Sequence, residues 1–144
     1  RIWRMTDSLL CLVLICSPAT IDAQFEWTRL ASEYALPPLV LSYADLGSDA
    51  LAAQVDFDRF GRARVLFDRR IDRQGSAQIR KTTAHEAYHA ALRAAAMEYG
   101  GPAEERAANT FAYCWIRDPG YVPERPCPEA LRVGAIIKAM KEAK

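Results

Sequence analysis

The two histidines of this chain stand four residues apart, in the segment His85-Glu86-Ala87-Tyr88-His89. Residues at this spacing lie one turn apart on the same face of an α-helix, so both imidazoles can bind one zinc ion. Glu86, beside them, is then placed to take a proton from a water molecule. The pattern therefore predicts a hydrolytic zinc site, with His85 and His89 as metal ligands and Glu86 as general base.

A catalytic zinc site needs a third protein ligand and one open position. Because the chain has no further histidine, this ligand is expected to be a carboxylate or a thiolate, and Glu104 and Glu105 are the candidates. Glu105 is favoured, because Ala108 and Ala112 at helical spacing from it allow its helix to pack closely against the histidine helix. Glu104 stays open as the substitute, and both acids can also simply complement a helix dipole.

Two supporting roles follow from the same chemistry. Asn109, one turn after Glu105, can accept a hydrogen bond from the second ring nitrogen of a ligating histidine, which would fix its tautomer. The oxyanion formed when water attacks a carbonyl group also needs a donor, which must be an arginine or a tyrosine here. The sequence does not select among the tyrosines considered, which are Tyr88, Tyr99, Tyr113 and Tyr121.

Two motifs of this chain resemble those of the gluzincin metallopeptidases, namely H-E-x-x-H at 85–89 and E-x-x-A-N-x-F-A at 105–112. The second motif is similar to that of the ImmA/IrrE-type members. The resemblance covers residues 78–115 and implies a zinc cofactor and a peptide or protein substrate. The roles it implies are zinc ligation by His85, His89 and Glu105, proton transfer by Glu86, and support of the first histidine by Asn109.

The chain departs from the ImmA/IrrE pattern at two places. Tyr88 stands where those members commonly have Gly, and Tyr113-Cys114-Trp115 stands where they tend to continue with an aliphatic run and Pro. They are also usually cytosolic regulators, so the broad peptidase family is better supported than this subgroup. The resemblance further implies that a substrate adds as a strand to a sheet edge, for which residues 65–67 are the candidate.

The N-terminal segment has the features of a secretory signal peptide. Arg1 and Arg4 precede an apolar run at 9–16 that is too short to span a bilayer. Ser17 and Ala19 fit a signal-peptide cleavage rule, and Ala23 before Gln24 is a second candidate. We therefore expect a signal peptide at 1–23 and a single metallopeptidase-like domain at 24–144, exported to the periplasm or secreted. An uncleaved membrane anchor and a buried N-terminal helix are the alternatives.

Cys114 and Cys127 are predicted to form a disulfide, because they flank a turn-rich segment and would remain after removal of the signal. Two free thiols are the alternative. The net charge of +1 gives no general attraction to nucleic acid or anionic membrane, so neither is expected as a partner. Membrane contact is expected only through an uncleaved N-terminal segment, and the oligomeric state stays open.

The order of periodic segments predicts an α+β fold, in which a small antiparallel sheet packs against the H-E-x-x-H helix and the glutamate-bearing helix that follows it. Residues 53–57 and 62–67 flank a turn and are expected to form a β-hairpin. The other predicted elements are helices at 25–35, 83–99, 102–115 and 128–144 and a strand at 39–43.

Two other functions remain compatible with the sequence. The first is an exported zinc-binding or catalytically inactive module that acts by binding a partner. The second is a small structural domain, in which the stripe of small residues only forms the core. A fourth protein ligand on the metal would favour a structural site over an enzyme.

Overall fold

In a computed structural model, the described residues are 18–44, 53–68, 73–118, 120, 127, 128 and 130–132. In chain order the elements are helix α1 (Pro18–Glu33), strands β1 (Leu39–Ala44), β2 (Ala53–Phe57) and β3 (Ala63–Asp68), and helices α2 (Ser76–Ala94) and α3 (Gly101–Ile116). The predicted α+β class is confirmed. Within the described ranges, none of the helices is long and apolar enough to cross a membrane.

The three strands form one sheet in the order β1-β3-β2. The predicted hairpin is confirmed, because β2 pairs antiparallel with β3 and Val55 lies opposite Val65. Strand β1 instead pairs parallel with β3, with Leu41 opposite Val65. The sheet is therefore mixed, and the predicted antiparallel pairing holds between β2 and β3 but not between β1 and β3. An apolar run indicates that a strand exists, but its direction depends on which partner it meets in the fold.

The central position of β3 has a consequence for the sheet edge. Because β3 is hydrogen-bonded to a strand on each side, residues 65–67 offer no free edge, and the prediction of substrate addition there is wrong.

The turn between β2 and β3 is stabilised by Asp58, whose carboxylate accepts the backbone N–H groups of Phe60 and Arg62 at 2.9 and 3.0 Å. Gly61 completes the turn with a φ of +76°, which favours glycine.

Helix α2 begins seven residues earlier than the predicted start at 83, directly after Gly75. The early turns escape prediction because their residues are polar, although Ile79 among them is buried in the core. Thr83 lies inside the helix and donates its hydroxyl to the carbonyl of Ile79 at 2.8 Å. The helix ends before the predicted residue 99, because Ala96 adopts a positive φ of 56°.

The core lies between the three helices and the sheet. Leu30 of α1 and Val65 of β3 are fully buried, and so are Ala84, Ala90 and Ala108 on the two helices α2 and α3. Small side chains at such positions let helix backbones approach closely. The alanine content therefore brings the surfaces of α2 and α3 together.

Helix α1 is longer than the predicted helix at 25–35. Trp27 and Tyr34 are buried, whereas Ala31 is exposed. The helix also crosses the predicted domain boundary, and Ala23 is completely buried. The signal peptide stays a prediction, because its apolar run lies outside the described residues.

The buried residue Glu26 links α1 to the other two helices through hydrogen bonds. Its carboxylate is fully buried and accepts hydrogen bonds from Arg29 at 3.0 Å and from Arg80 of α2 at 2.7 Å. The indole N–H of Trp115 on α3 donates to the same carboxylate. A buried charge must be paired in this way to be tolerated, so the contact fixes the three helices relative to one another.

The predicted disulfide between Cys114 and Cys127 is confirmed, and it joins the end of α3 to a later segment. Residues 130–132 of that segment are helical, and the rest of the predicted helix at 128–144 lies outside the described residues.

We expect Cys127→Ser to lower the free energy of unfolding by about 3 kcal/mol, because it removes a cross-link between two residues that are 13 positions apart in the sequence. Urea unfolding under oxidising conditions measures this loss. A reducing agent should destabilise the wild type by a similar amount and leave Cys127→Ser unchanged. Equal stability of the oxidised wild type and the variant would contradict the expectation.

Candidate metal centre

Three side chains predicted as ligands converge between α2 and α3. The Nε2 atoms of His85 and His89 lie 3.2 Å apart. The Glu105 carboxylate reaches both imidazoles, with Oε2 at 3.1 Å from His85 Nε2 and Oε1 at 3.0 Å from His89 Nε2. One ligand atom from each residue lies within 4.8 Å of the others, so the group can hold a metal ion.

The donor atoms of this group fit a divalent cation in number and spacing. In a tetrahedral site with bonds of about 2.0–2.1 Å, neighbouring ligand atoms are about 3.3 Å apart, close to the separations seen among these three residues. Two imidazole nitrogens that face each other cannot both carry a proton without repulsion. A cation between them satisfies both lone pairs, and two imidazoles with one carboxylate form a donor set suited to first-row divalent ions.

The turn between the helices explains why the glutamates meet the histidines. Gly100 and Gly101 both have positive φ angles, of 68° and 71°, and reverse the chain after α2. Pro102 then lies in the first turn of α3, where its missing N–H costs nothing. Helix α3 therefore runs back along α2, and its first turn lies beside the second histidine.

Glu104 occupies a different position from the one kept open for it as a ligand. Its Oε2 lies 2.6 Å from Nδ1 of His89, on the opposite side of the ring from the group of three ligands. Its Oε1 accepts the backbone N–H groups of Tyr99 and Gly100 at 3.0 and 3.2 Å. Glu104 thus holds the proton of His89 on Nδ1 and turns the lone pair of Nε2 towards Glu105.

One feature of the sequence indicates that an acid could support His89 from behind, namely that Glu104 and Glu105 are adjacent. Neighbouring helical residues point about 100° apart, so Glu104 and Glu105 can reach opposite sides of one imidazole. Burial acts to raise the pKa of Glu104, but the N–H groups of Tyr99 and Gly100 and the bond to His89 hold it below its usual value. Glu104 is therefore a carboxylate at neutral pH.

Asn109 lines the same cleft as His85, one turn along α3 from Glu105. Its side chain acts to raise the pKa of the His85 imidazole. Burial, followed by the electrostatic effect of the neighbouring His89, lowers the pKa of His85, and Glu105 and Asn109 only partly oppose this shift. His85 is thus neutral around pH 7, which is the form that binds a metal.

Glu86 is buried beside this group, with only 7% of its surface exposed, and lines the same cleft. Burial raises the pKa of its carboxyl to about 7, an effect that His89 opposes and Glu105 reinforces. A carboxyl with a pKa near neutrality can both accept and release a proton at physiological pH.

The cleft that contains these side chains has a volume of about 630 Å³. Ala53 and Gln54 of β2 form part of one wall. Two basic residues of α2 also line the cleft: Lys81 lies one turn before His85, and Arg93 lies one turn after His89. The cleft is large enough to admit several residues of an extended peptide or a small molecule.

The candidate tyrosines are placed differently from one another. Tyr113 lines the cleft. Tyr88 is buried and packs against Phe111 with ring centroids 5.4 Å apart, so the bulky residue before the second histidine belongs to the core. Tyr99 is exposed outside the cleft, and Tyr121 lies outside the described residues.

Comparisons with known proteins identify no relative of this chain: no family model matches it, and neither the curated proteins nor the solved structures contain a match.

Proposed function

We propose that this protein is a small zinc-dependent peptidase of the gluzincin type. One observation carries the proposal: two imidazoles and the Glu105 carboxylate meet at 3.0–3.2 Å, with the buried acid Glu86 in the same cleft. A chance H-E-x-x-H on a solvated helix face would not require a second helix to supply a carboxylate and an amide to the same two rings. The resemblance to the family rests on these motif residues.

In this proposal His85, His89 and Glu105 hold the zinc ion. When bound, zinc acts as a Lewis acid that makes a water molecule more acidic and polarises a carbonyl group. Glu104 holds the His89 ring in the tautomer that ligation requires, since it contacts Nδ1 from outside the group. Asn109 is proposed to support His85 in the same way. The neutral state of His85 leaves its lone pair available at pH 7.

Glu86 acts as the proton carrier of the reaction. It accepts a proton from the water whose oxygen attacks the scissile carbonyl carbon, and it donates this proton to the amine nitrogen as the C–N bond breaks. The products are a carboxylic acid and a free amine, so the atoms balance with water as the only co-reactant. A nearby cation would lower the pKa of Glu86 from the value near 7 and favour the ionised base.

The substrate is proposed to bind as an extended strand along β2. This strand lies at one end of the sheet order, and Ala53 and Gln54 at its start line the cleft. Addition of a strand supplies main-chain hydrogen bonds without demanding a particular sequence, and the side chains of the cleft would set the preference. The proposed substrate is therefore a peptide or an unfolded segment of a protein.

Export to the periplasm or the exterior belongs to the proposal as well. The Cys114–Cys127 disulfide is compatible with an oxidising compartment. The test is to sequence the N-terminus of the protein recovered from the culture medium or periplasm. Recovery only from the cytosol would contradict export without affecting the chemistry of the site.

Metal-dependent cleavage of a diverse peptide library tests the proposed activity. The purified protein should contain one zinc per chain and cleave library peptides, lose activity on treatment with a chelator, and regain it when zinc is added. Zinc that binds tightly without any cleavage would favour the inactive binding module. Absence of metal binding would contradict both.

Glu104→Gln is expected to weaken zinc affinity about 10- to 100-fold, because the outer partner of a ligating histidine orients its ring and raises its basicity. Competition with a fluorescent chelator measures this affinity. Asp118→Asn is a suitable control, since Asp118 follows the end of α3 and pairs with Lys81 of α2 rather than with a histidine. Unchanged affinity in Glu104→Gln would contradict the role given to Glu104.

A further inference from the structure

Arg93 lies where helix α2 meets strand β2. It follows His89 by one turn on α2 and lines the cleft. Its guanidinium lies over the Phe57 ring of β2, 5.2 Å from the ring centroid. The pKa of Asp56 on the same strand is lowered chiefly by a hydrogen bond from Arg64, and the charge of Arg93 lowers it further. Arg93 therefore places a positive charge at the wall of the cleft that β2 forms.

The Phe57 ring gives this guanidinium a fixed support. Phe57 lies opposite Ala63 at the end of β2 and packs against the buried core. A cation–π contact acts through the charge of the guanidinium, so its N–H donors stay available for other partners. Among the described residues, the ionic partner of Arg93 is Glu98, at 3.9 Å, which is beyond hydrogen-bonding distance. With side chains 47% and 55% exposed, this pair is weak.

The other charged groups near the ligands are more closely paired. The Lys81 ammonium lies 2.9 Å from the Asp118 carboxylate, and its side chain is only 18% exposed. Glu104 contacts Nδ1 of His89 at 2.6 Å, and Glu105 faces the histidines as a predicted ligand. Of the two basic residues that line the cleft, Arg93 is therefore the one whose donors can reach a substrate.

We propose that Arg93 binds an acidic side chain of the substrate, so that the enzyme prefers peptides with Asp or Glu near the scissile bond. The inference rests on the proposed peptidase function and on substrate binding along β2. The fork of N–H donors on a guanidinium matches the two oxygens of a carboxylate. One helical turn is about 5.4 Å and an extended peptide advances about 3.3 Å per residue, so the acidic residue lies within about two residues of the scissile bond.

Glu98 is the group in the cleft that would select the opposite charge. Among the described residues, its carboxylate has only the 3.9 Å contact with Arg93. A half-exposed glutamate that binds a substrate must first lose its side-chain freedom, which costs free energy. Arg93 is already held over Phe57 and loses less, so the guanidinium sets the preference.

Cleavage of matched peptides by the zinc-loaded full chain tests this preference. The two peptides of a pair differ only by Glu or Gln at one position, and this position is moved along the peptide. We expect kcat/KM to be about tenfold higher for the Glu peptide at one position near the scissile bond, the effect of one charge-assisted contact. Arg93→Gln should bring the ratio to about one, and Arg93→Glu should favour a Lys peptide over the Glu peptide. A merely structural role for Arg93 would not reverse the preferred charge.

Arg62→Gln is the matched control. The Arg62 side chain is 51% exposed and its guanidinium lies over the Phe60 ring at 5.4 Å, but it belongs to the hairpin turn and does not line the cleft. This variant should keep the wild-type ratio. Equal cleavage of the Glu and Gln peptides at every position, a wild-type preference for Lys, or a Glu preference that survives Arg93→Gln would overturn the proposal.

Peptide binding to zinc-loaded Glu86→Gln separates this inference from the peptidase function. In calorimetry, the Glu peptide should bind about tenfold more tightly than the Gln peptide, and adding Arg93→Gln should abolish the difference. Such binding in a chain whose wild type cleaves no peptide would support the role of Arg93 and contradict the peptidase function. Equal binding of the two peptides, or no binding of either, would overturn the role of Arg93.

Discussion

Glu86→Gln is expected to lower kcat for peptide cleavage by about a thousandfold or more while zinc binding is retained. Glutamine has the shape of the carboxyl but cannot accept the proton of the attacking water, and a positioned general base typically contributes about 10²–10⁴ in rate. The fold should tolerate the change, because burial raises the pKa of the Glu86 carboxyl to about 7 and so already disfavours its charged form. Steady-state cleavage of one library peptide, with zinc content measured on the same sample, gives both quantities.

Glu98→Gln is the matched control for this variant. Glu98 lines the same cleft, but its side chain is 55% exposed and lies near Arg93 rather than the histidines. The same substitution there should leave kcat within a few-fold of the wild type. Retained turnover in zinc-loaded Glu86→Gln would show that Glu86 is not the base.

The second large effect is expected from Glu105→Ala, which should weaken zinc binding by more than about a hundredfold. Loss of an outer partner alone costs about 10- to 100-fold, and removal of a direct ligand costs more. Because the Glu105 side chain is 59% exposed, its removal should leave the metal-free fold as stable as the wild type. Zinc should therefore raise the melting temperature of the wild type and leave that of Glu105→Ala nearly unchanged.

Glu98→Ala serves as the control in these melting experiments, since it removes another exposed acid of the cleft. It should respond to zinc as the wild type does. An equal rise in melting temperature for Glu105→Ala and the wild type would mean that zinc binds elsewhere or without Glu105.

The parts of the fold predicted from the sequence are those with strong local signals. The β2–β3 hairpin follows from two β-favouring runs around a tight turn, and helix α3 follows from Pro102 after two glycines. The meeting of Glu105 with the two histidines was predicted from small residues at helical spacing. Such signals involve residues that are close to one another in the sequence.

The features that escaped prediction depend on contacts between distant segments. The parallel pairing of β1 with β3 depends on which sheet edge the hairpin leaves open. The contact of Glu104 with Nδ1 of His89 depends on how α3 is rotated about its own axis against α2. A rotation of about 100° would exchange the positions of Glu104 and Glu105. Burial of Glu26 by Arg80 and Trp115 likewise joins three helices.

Anomalous diffraction at the zinc absorption edge, from crystals of the zinc-loaded protein, tests the central claim most directly. We expect one strong peak within about 2.0–2.2 Å of Nε2 of His85, Nε2 of His89 and a carboxylate oxygen of Glu105, with solvent at the remaining position. A fourth protein ligand, a peak at another place in the chain, or no peak would contradict a catalytic zinc centre at these residues.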